Sequence, residues 1–173
     1  SASSNDSFDL FIQDSGTEDN SMAFVTTDAQ VSSIDTDFEV ANIETGGTSA
    51  SFLNLLGLEL ETLNVTGSQQ LNVEDVNDGF EDLKSVDASG MTGGGINVNA
   101  QANTQSNFAF IGSAQDDSIE LNRSLFSNAN TLSLDGGDGI DTLTIESFTN
   151  QATAPAVNAA VNNFEILQAT DAV

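Results

Sequence analysis

The run Gly136-Gly137-Asp138-Gly139-Ile140-Asp141-Thr142-Leu143-Thr144 carries the sharpest chemical signal in the chain. It satisfies every position of G-G-x-G-x-D-x-U-x, a calcium-binding corner between parallel strands. Glycines reach backbone conformations closed to other residues and leave carbonyl oxygens exposed. Asp141 adds a charged oxygen, and Leu143 starts the next strand by pointing into a core. Calcium takes about 6–8 hard oxygen ligands, so one such corner supplies half a shell. A second corner, Gly112-Ser113-Ala114-Gln115-Asp116-Asp117-Ser118-Ile119-Glu120, keeps the first glycine, the aspartate at the sixth place and the apolar residue at the eighth. If Gly112 and Gly136 share a rung position, the two corners stack and complete one shell. Asp117 and Asp141 are then the side-chain ligands, with backbone oxygens from Gly112, Ala114, Gly136 and Asp138; Asp116 and Asp135 stand in reserve. The competing reading is an ordinary Asp-Gly turn between two strands. The corners at Asp87 and Glu44 lack the glycine-spaced aspartate and read as plain turns.

Stacked corners need a repeating scaffold, and the chain has one. Gly47, Gly67, Gly90, Gly112 and Gly136 recur at intervals of 20, 23, 22 and 24 residues. Four residues before them stand Ile43, Leu63, Val86, Phe108 and Leu132; two before stand Thr45, Val65, Ala88, Phe110 and Leu134. The alternation has the period of a strand, not of a helix. A second apolar pair follows each glycine: Leu53 and Leu55, Leu71 and Val73, Ile96 and Val98, Ile119 and Leu121, Leu143 and Ile145. A two-strand unit this short cannot bury its own apolar face, whereas stacked units share a continuous core. The expected fold is all-β, a parallel β-solenoid (β-roll or β-helix) of about six turns with two main strands per turn.

The organisation expected along the chain has three parts. Residues 1–37 form an irregular opening turn with strands at Phe8–Gln13 and Met22–Thr27; 38–147 form the regular solenoid with the calcium corners; 148–173 hold an insertion with the only proline, Pro155, and a final turn. Related phrases open the turns: Phe38-Glu39-Val40-Ala41-Asn42-Ile43, Leu60-Glu61-Thr62-Leu63-Asn64-Val65, Leu83-Lys84-Ser85-Val86-Asp87-Ala88 and, after the insertion, Phe164-Glu165-Ile166-Leu167-Gln168-Ala169. Short helical or turn pieces are expected at Glu74–Glu81 and Ala156–Asn163. The start at Ser1 without methionine and the absence of a polar cap after Val173 point to a module of a longer chain.

Composition narrows the partners. Acidic residues number 27 against two basic ones, Lys84 and Arg123, with no histidine, for a formal net charge of −25. A polyanion without a basic patch has no means of displacing counterions from nucleic acid, and anionic membranes repel it. Self-repulsion on this scale destabilises a compact state unless cations neutralise it; general acidic adaptation to salt is the blander account. No apolar run reaches the roughly 18 residues of a membrane helix, and no signal peptide is seen. Cysteine is absent, which leaves the redox compartment open.

The phrases Leu60-Glu61-Thr62-Leu63-Asn64-Val65-Thr66-Gly67-Ser68 and Ser85-Val86-Asp87-Ala88-Ser89-Gly90-Met91-Thr92-Gly93-Gly94, with the nonapeptide Gly136–Thr144, resemble the calcium-binding repeat-in-toxin (RTX) proteins, and more closely their bacterial surface-layer (S-layer) relatives. The resemblance covers most of 38–170. It implies a secreted protein at the bacterial cell surface that folds on meeting extracellular calcium and assembles into a sheet or filament, as an S-layer or extracellular matrix module. The chain departs from the pattern in holding one full nonapeptide instead of a tandem run, so few ions are expected. The alternative is a calcium-stabilised adhesin segment that binds a carbohydrate or host surface, with cell-surface polysaccharide as a second candidate partner. An enzyme is not expected: His, Tyr and Trp are missing, and carboxylate pairs that could hydrolyse a glycoside arise by accident in so acidic a chain. An ice-binding face would need Thr-x-Thr arrays in register, and only Thr142-Leu143-Thr144 has that form.

Overall fold

A computed structural model describes residues 6–16, 22–25, 38–56, 60–75, 80–126, 131–146 and 159–170. Among the described residues there are fourteen strands, most of them where the sequence alternates apolar and polar residues. They are β1 (Ser7–Gln13), β2 (Met22–Val25), β3 (Val40–Gly46), β4 (Ser51–Leu56), β5 (Thr62–Gly67), β6 (Leu71–Asp75), β7 (Ser85–Met91), β8 (Ile96–Ala100), β9 (Ala109–Ile111), β10 (Ser118–Asn122), β11 (Leu132–Asp135), β12 (Thr142–Glu146), β13 (Ala159–Asn162) and β14 (Ile166–Thr170). Odd strands form one seven-stranded sheet and even strands another, each in simple sequence order, and every pairing is parallel. The chain is a parallel β-solenoid, one odd and one even strand per coil. Seven strands per sheet differ slightly from the expected count of about six turns.

Register comes from the apolar columns. Phe8, Ala41, Leu63, Val86, Phe110, Leu134 and Val161 stand level across the odd sheet. In the even sheet Leu53, Val73, Val98, Ile119, Leu143 and Leu167 do the same. The inward members form one continuous buried cluster from Ile12 to Ile145, each column sealing its neighbours as dispersion and area burial require.

The glycines do not set this register. Gly67 pairs with Thr45, not with Gly47, and the level of Gly112 is that of Ala88, not Gly90, since Asp87 pairs with Ile111. Each of these two differences is two residues, a slip that keeps every side chain on its own face; between β5 and β7 the offset is one residue, since Gly67 pairs with Met91 across a register shift between Asn64 and Thr66. Corner length absorbs it. The phrase at Phe164–Ala169 is a second correction: β14 pairs with β12 in the even sheet, whereas the three earlier phrases open odd strands. The helical or turn piece expected over Ala156–Asn163 is also replaced where described, because Ala159–Asn162 pairs with Leu132–Asp135 as β13. Of Glu74–Glu81, residues 76–79 lie outside the described residues, as do 26 and 27 of the expected strand Met22–Thr27. Among the described residues the only helical piece is a 3-10 turn, Arg123–Leu125.

Polar staples join successive coils. Asn103, 1% exposed, donates to the carbonyls of Phe80 (3.1 Å) and Leu83 (2.6 Å), and its oxygen accepts the N–H of Gln105 at 2.9 Å. Asn103→Ala strands the buried Leu83 carbonyl and the half-buried Gln105 N–H, while the Phe80 carbonyl keeps the Leu83 N–H at 3.3 Å; we expect it to cost about 2–3 kcal/mol, read as a lowered urea midpoint with an unchanged slope. On the outer face Asn64 donates to Asn42, and Asn42 to Asp9, each at 2.8 Å.

Candidate metal corner

The hexapeptides Gly112–Asp117 and Gly136–Asp141 stack residue on residue. Ile111 pairs with Asp135 on one side of the corner and Ser118 with Thr142 on the other, so both corners have the same length and level. Gly112 and Gly136 therefore share a rung, as the sequence implied. The chain passes close enough there that a Cβ on Gly112 would overlap the carbonyl oxygen of Gly136, and one on Gly136 would overlap that of Asn163.

Asp117 and Asp141 continue a column that begins with Ser51 and two apolar residues. Ser51, Leu71 and Ile96 stand level at the start of β4, β6 and β8; Asp117, Asp141 and Glu165 follow at the same level, one residue before Ser118, Thr142 and Ile166. Asp117 is 2% exposed and Asp141 0%. Upstream, the N–H of Leu71 donates to the carbonyl of Gly95 at 3.1 Å. Downstream, carboxylates replace that carbonyl as acceptors. Ile96 N–H donates to Asp117 Oδ1 (2.6 Å), Asp117 N–H to Asp141 Oδ1 (2.7 Å) and Asp141 N–H to Glu165 Oε2 (2.9 Å). Each carboxylate thus ties its coil to the one before it.

The two aspartates differ at their second oxygens. Asp117 Oδ2 accepts the N–H of Ser113 at 2.6 Å and its hydroxyl at 3.0 Å. Gly137 occupies the Ser113 level in the next coil; it has no hydroxyl, and at φ +98°, a conformation that favours glycine, its N–H turns to Asp135 Oδ1 at 3.2 Å. Asp141 Oδ2 is left buried with no partner. Burial pushes the carboxyl of Asp141 up to about 6; the hydrogen bond from Asp117 N–H opposes this, and the charges of Asp117, Glu165 and Asp116 add to it. Burial also raises Asp117, against the hydrogen bonds from Ile96 and Ser113 and with the Asp116 charge. Unpartnered buried charge of this kind is what a bound cation offsets.

The other expected ligands divide. Asp116 is exposed on the corner and its Oδ1 accepts Ile140 N–H at 2.9 Å. Asp135, half-buried at the end of β11, also accepts Asn163 Nδ2 at 2.7 Å. Ala114 and Asp138 sit exposed on the corner, Asp138 N–H donating to the Ser113 carbonyl at 3.1 Å. Among the described residues no three acidic side chains gather closely enough to hold an ion by themselves, so backbone oxygens or water would complete a shell. The sequence pattern does not mark Ser113, Asn163 or Glu165. Glu165 lay inside a phrase that reads as strand, and only the pairing of Thr142 with Ile166 brings it level with Asp141. Compared with known protein families, curated proteins and solved structures, the chain matches none of them.

Proposed function

We infer that the chain is a calcium-dependent structural protein of the bacterial cell surface, a secreted self-assembling module of S-layer or extracellular matrix type. The observation that carries this reading is the unpartnered, buried Oδ2 of Asp141 within a G-G-x-G-x-D corner stacked on its Asp117 counterpart. Asp141, with neighbouring backbone carbonyl oxygens, would hold the ion; Ca2+ would supply the positive charge that a chain of net charge −25 lacks. Ion binding to the folded state alone stabilises it by mass action. At calcium one hundred times its dissociation constant the gain is about 3 kcal/mol, several degrees in melting temperature. Thermal unfolding with calcium and with chelator tests this, and equal melting temperatures would refute it. Sedimentation in the same two buffers reads assembly.

The alternative reading, adhesion to carbohydrate, draws on a trough of about 490 Å³ on the outer face of the even sheet, lined by Asn72, Asn97, Asn99, Glu74, Glu120 and Phe52 among others. Its amides and carboxylates suit neutral or amino sugars. A calcium-loaded chain that stays monomeric and binds a soluble glycan would favour it.

A further inference from the structure

We propose that the ion sits between the sixth and seventh coils, held by Asp141, the Asn163 carbonyl and Glu165, and that it governs the docking of the seventh coil (β13 and β14). This rests on the calcium reading above but departs from the shell that the motif suggests, in which Asp117 and Asp141 share the ion.

The two glycine levels have the same architecture and opposite occupancy. At the fifth coil, a point at the Cβ position of Gly112 has the Gly136 carbonyl on one side and Asp117 Oδ2 at 2.8 Å. At the sixth, the same point on Gly136 has the Asn163 carbonyl and Asp141 Oδ2 at 2.7 Å. Ser113 has already filled the upper position: its amide and hydroxyl saturate Asp117 Oδ2, while Ile96 holds Oδ1. A cation at Asp117 Oδ2 would have to displace both Ser113 donors. At the lower position nothing donates to Asp141 Oδ2, and a carbonyl oxygen already lies beside it. Glu165, whose Oε2 holds Asp141 N–H, is the carboxylate on the seventh-coil side of Asp141. All three oxygen sources bridge the sixth and seventh coils, which also meet through Asn163 Nδ2 and Asp135.

The seventh coil is the part of the solenoid with most to gain. Leu167, in the core column below Leu143, is 70% exposed, and Val161, below Leu134, is 41% exposed. With little apolar burial to hold it, its docking is sensitive to one ion bound at the Asp141–Asn163–Glu165 level, and the charges of Asp141 and Glu165 repel when that ion is absent.

The test uses the full chain, calorimetric titration with Ca2+, and amide hydrogen exchange with and without Ca2+. Asp141→Asn and Glu165→Gln each keep an oxygen to accept their backbone N–H, yet should weaken Ca2+ binding, the first by about a hundredfold and the second by about tenfold. Asp117→Asn should lower the melting temperature but leave Ca2+ affinity within about threefold. In the unsubstituted chain Ca2+ should protect the amides of Ile166–Thr170 most strongly. Loss of binding in Asp117→Asn with Glu165→Gln unaffected, or protection confined to the fifth and sixth coils, would overturn this placement while sparing the calcium reading. If the unsubstituted chain shows neither heat nor added protection, both fall. Should Asp117→Asn fail to fold, the exchange map of the unsubstituted chain still decides.

Discussion

Asp117→Ala should destabilise the solenoid by roughly 3–5 kcal/mol, the largest loss expected from a single corner substitution. Its carboxylate accepts from Ile96 N–H, Ser113 N–H and the Ser113 hydroxyl. Truncation strands those donors in a site 2% exposed to solvent, and each stranded buried donor costs about 1–3 kcal/mol. The gain from removing a desolvated charge offsets part of this. In a chain of this length the net loss lowers the melting temperature by roughly 10 °C, measurable by circular dichroism, and a change below about 1 kcal/mol would contradict the account. Asp117→Leu is the informative companion. It restores the side-chain type of Leu71 and Ile96 in the same column, and Ile96 N–H can then use the backbone route of Leu71, whose partner is the Gly95 carbonyl. Only Ser113 is left without its acceptor, so Asp117→Leu should cost less than Asp117→Ala.

The second large effect is on pH dependence in the absence of divalent cations. Asp141 titrates near 6 in the folded chain against 3.8 in its ordinary state, so between those values the folded state binds more protons than the unfolded state. Stability from this group is complete below about 3.8 and is lost as the pH rises through about 6. The expected loss between pH 4 and pH 7.5 is about 3 kcal/mol. Burial of Asp117 acts in the same sense, as does general repulsion in so acidic a chain. Asp141→Asn isolates the single group: it should flatten the slope and make the calcium-free protein more stable at neutral pH than the unsubstituted chain. Urea midpoints across this pH range, in chelator, measure both. Parallel slopes for the two proteins would show that Asp141 is not the group responsible. Added Ca2+ should reverse the sign for the unsubstituted chain alone, because the ion favours the ionised carboxylate.

The corner is partly legible in the sequence alone. Gly112, Gly136, Asp117 and Asp141 come together as their equal spacing implied, since equal corner lengths between paired strands leave no other register. The partition of roles was not legible. Ser113 and Gly137 occupy equivalent levels, and the hydroxyl of one saturates an aspartate that the other leaves bare. No consensus pattern records that difference, because it depends on where an N–H points. Nor could Glu165 be found from its surroundings in the chain, where Phe164 and Ile166 make it look like an ordinary outward strand residue.

Alternation with a period of two and glycine-punctuated units too short to fold alone settled the class of fold and, outside the register shift at Ser89–Gly90, the inward face of its strands, because facing depends on parity along the chain. Strand register, the sheet to which Phe164–Ala169 belongs and the conversion of an apolar column into stacked carboxylates were decided in three dimensions. Two-residue slips leave parity untouched, and only the packing of one coil on the next distinguishes between them.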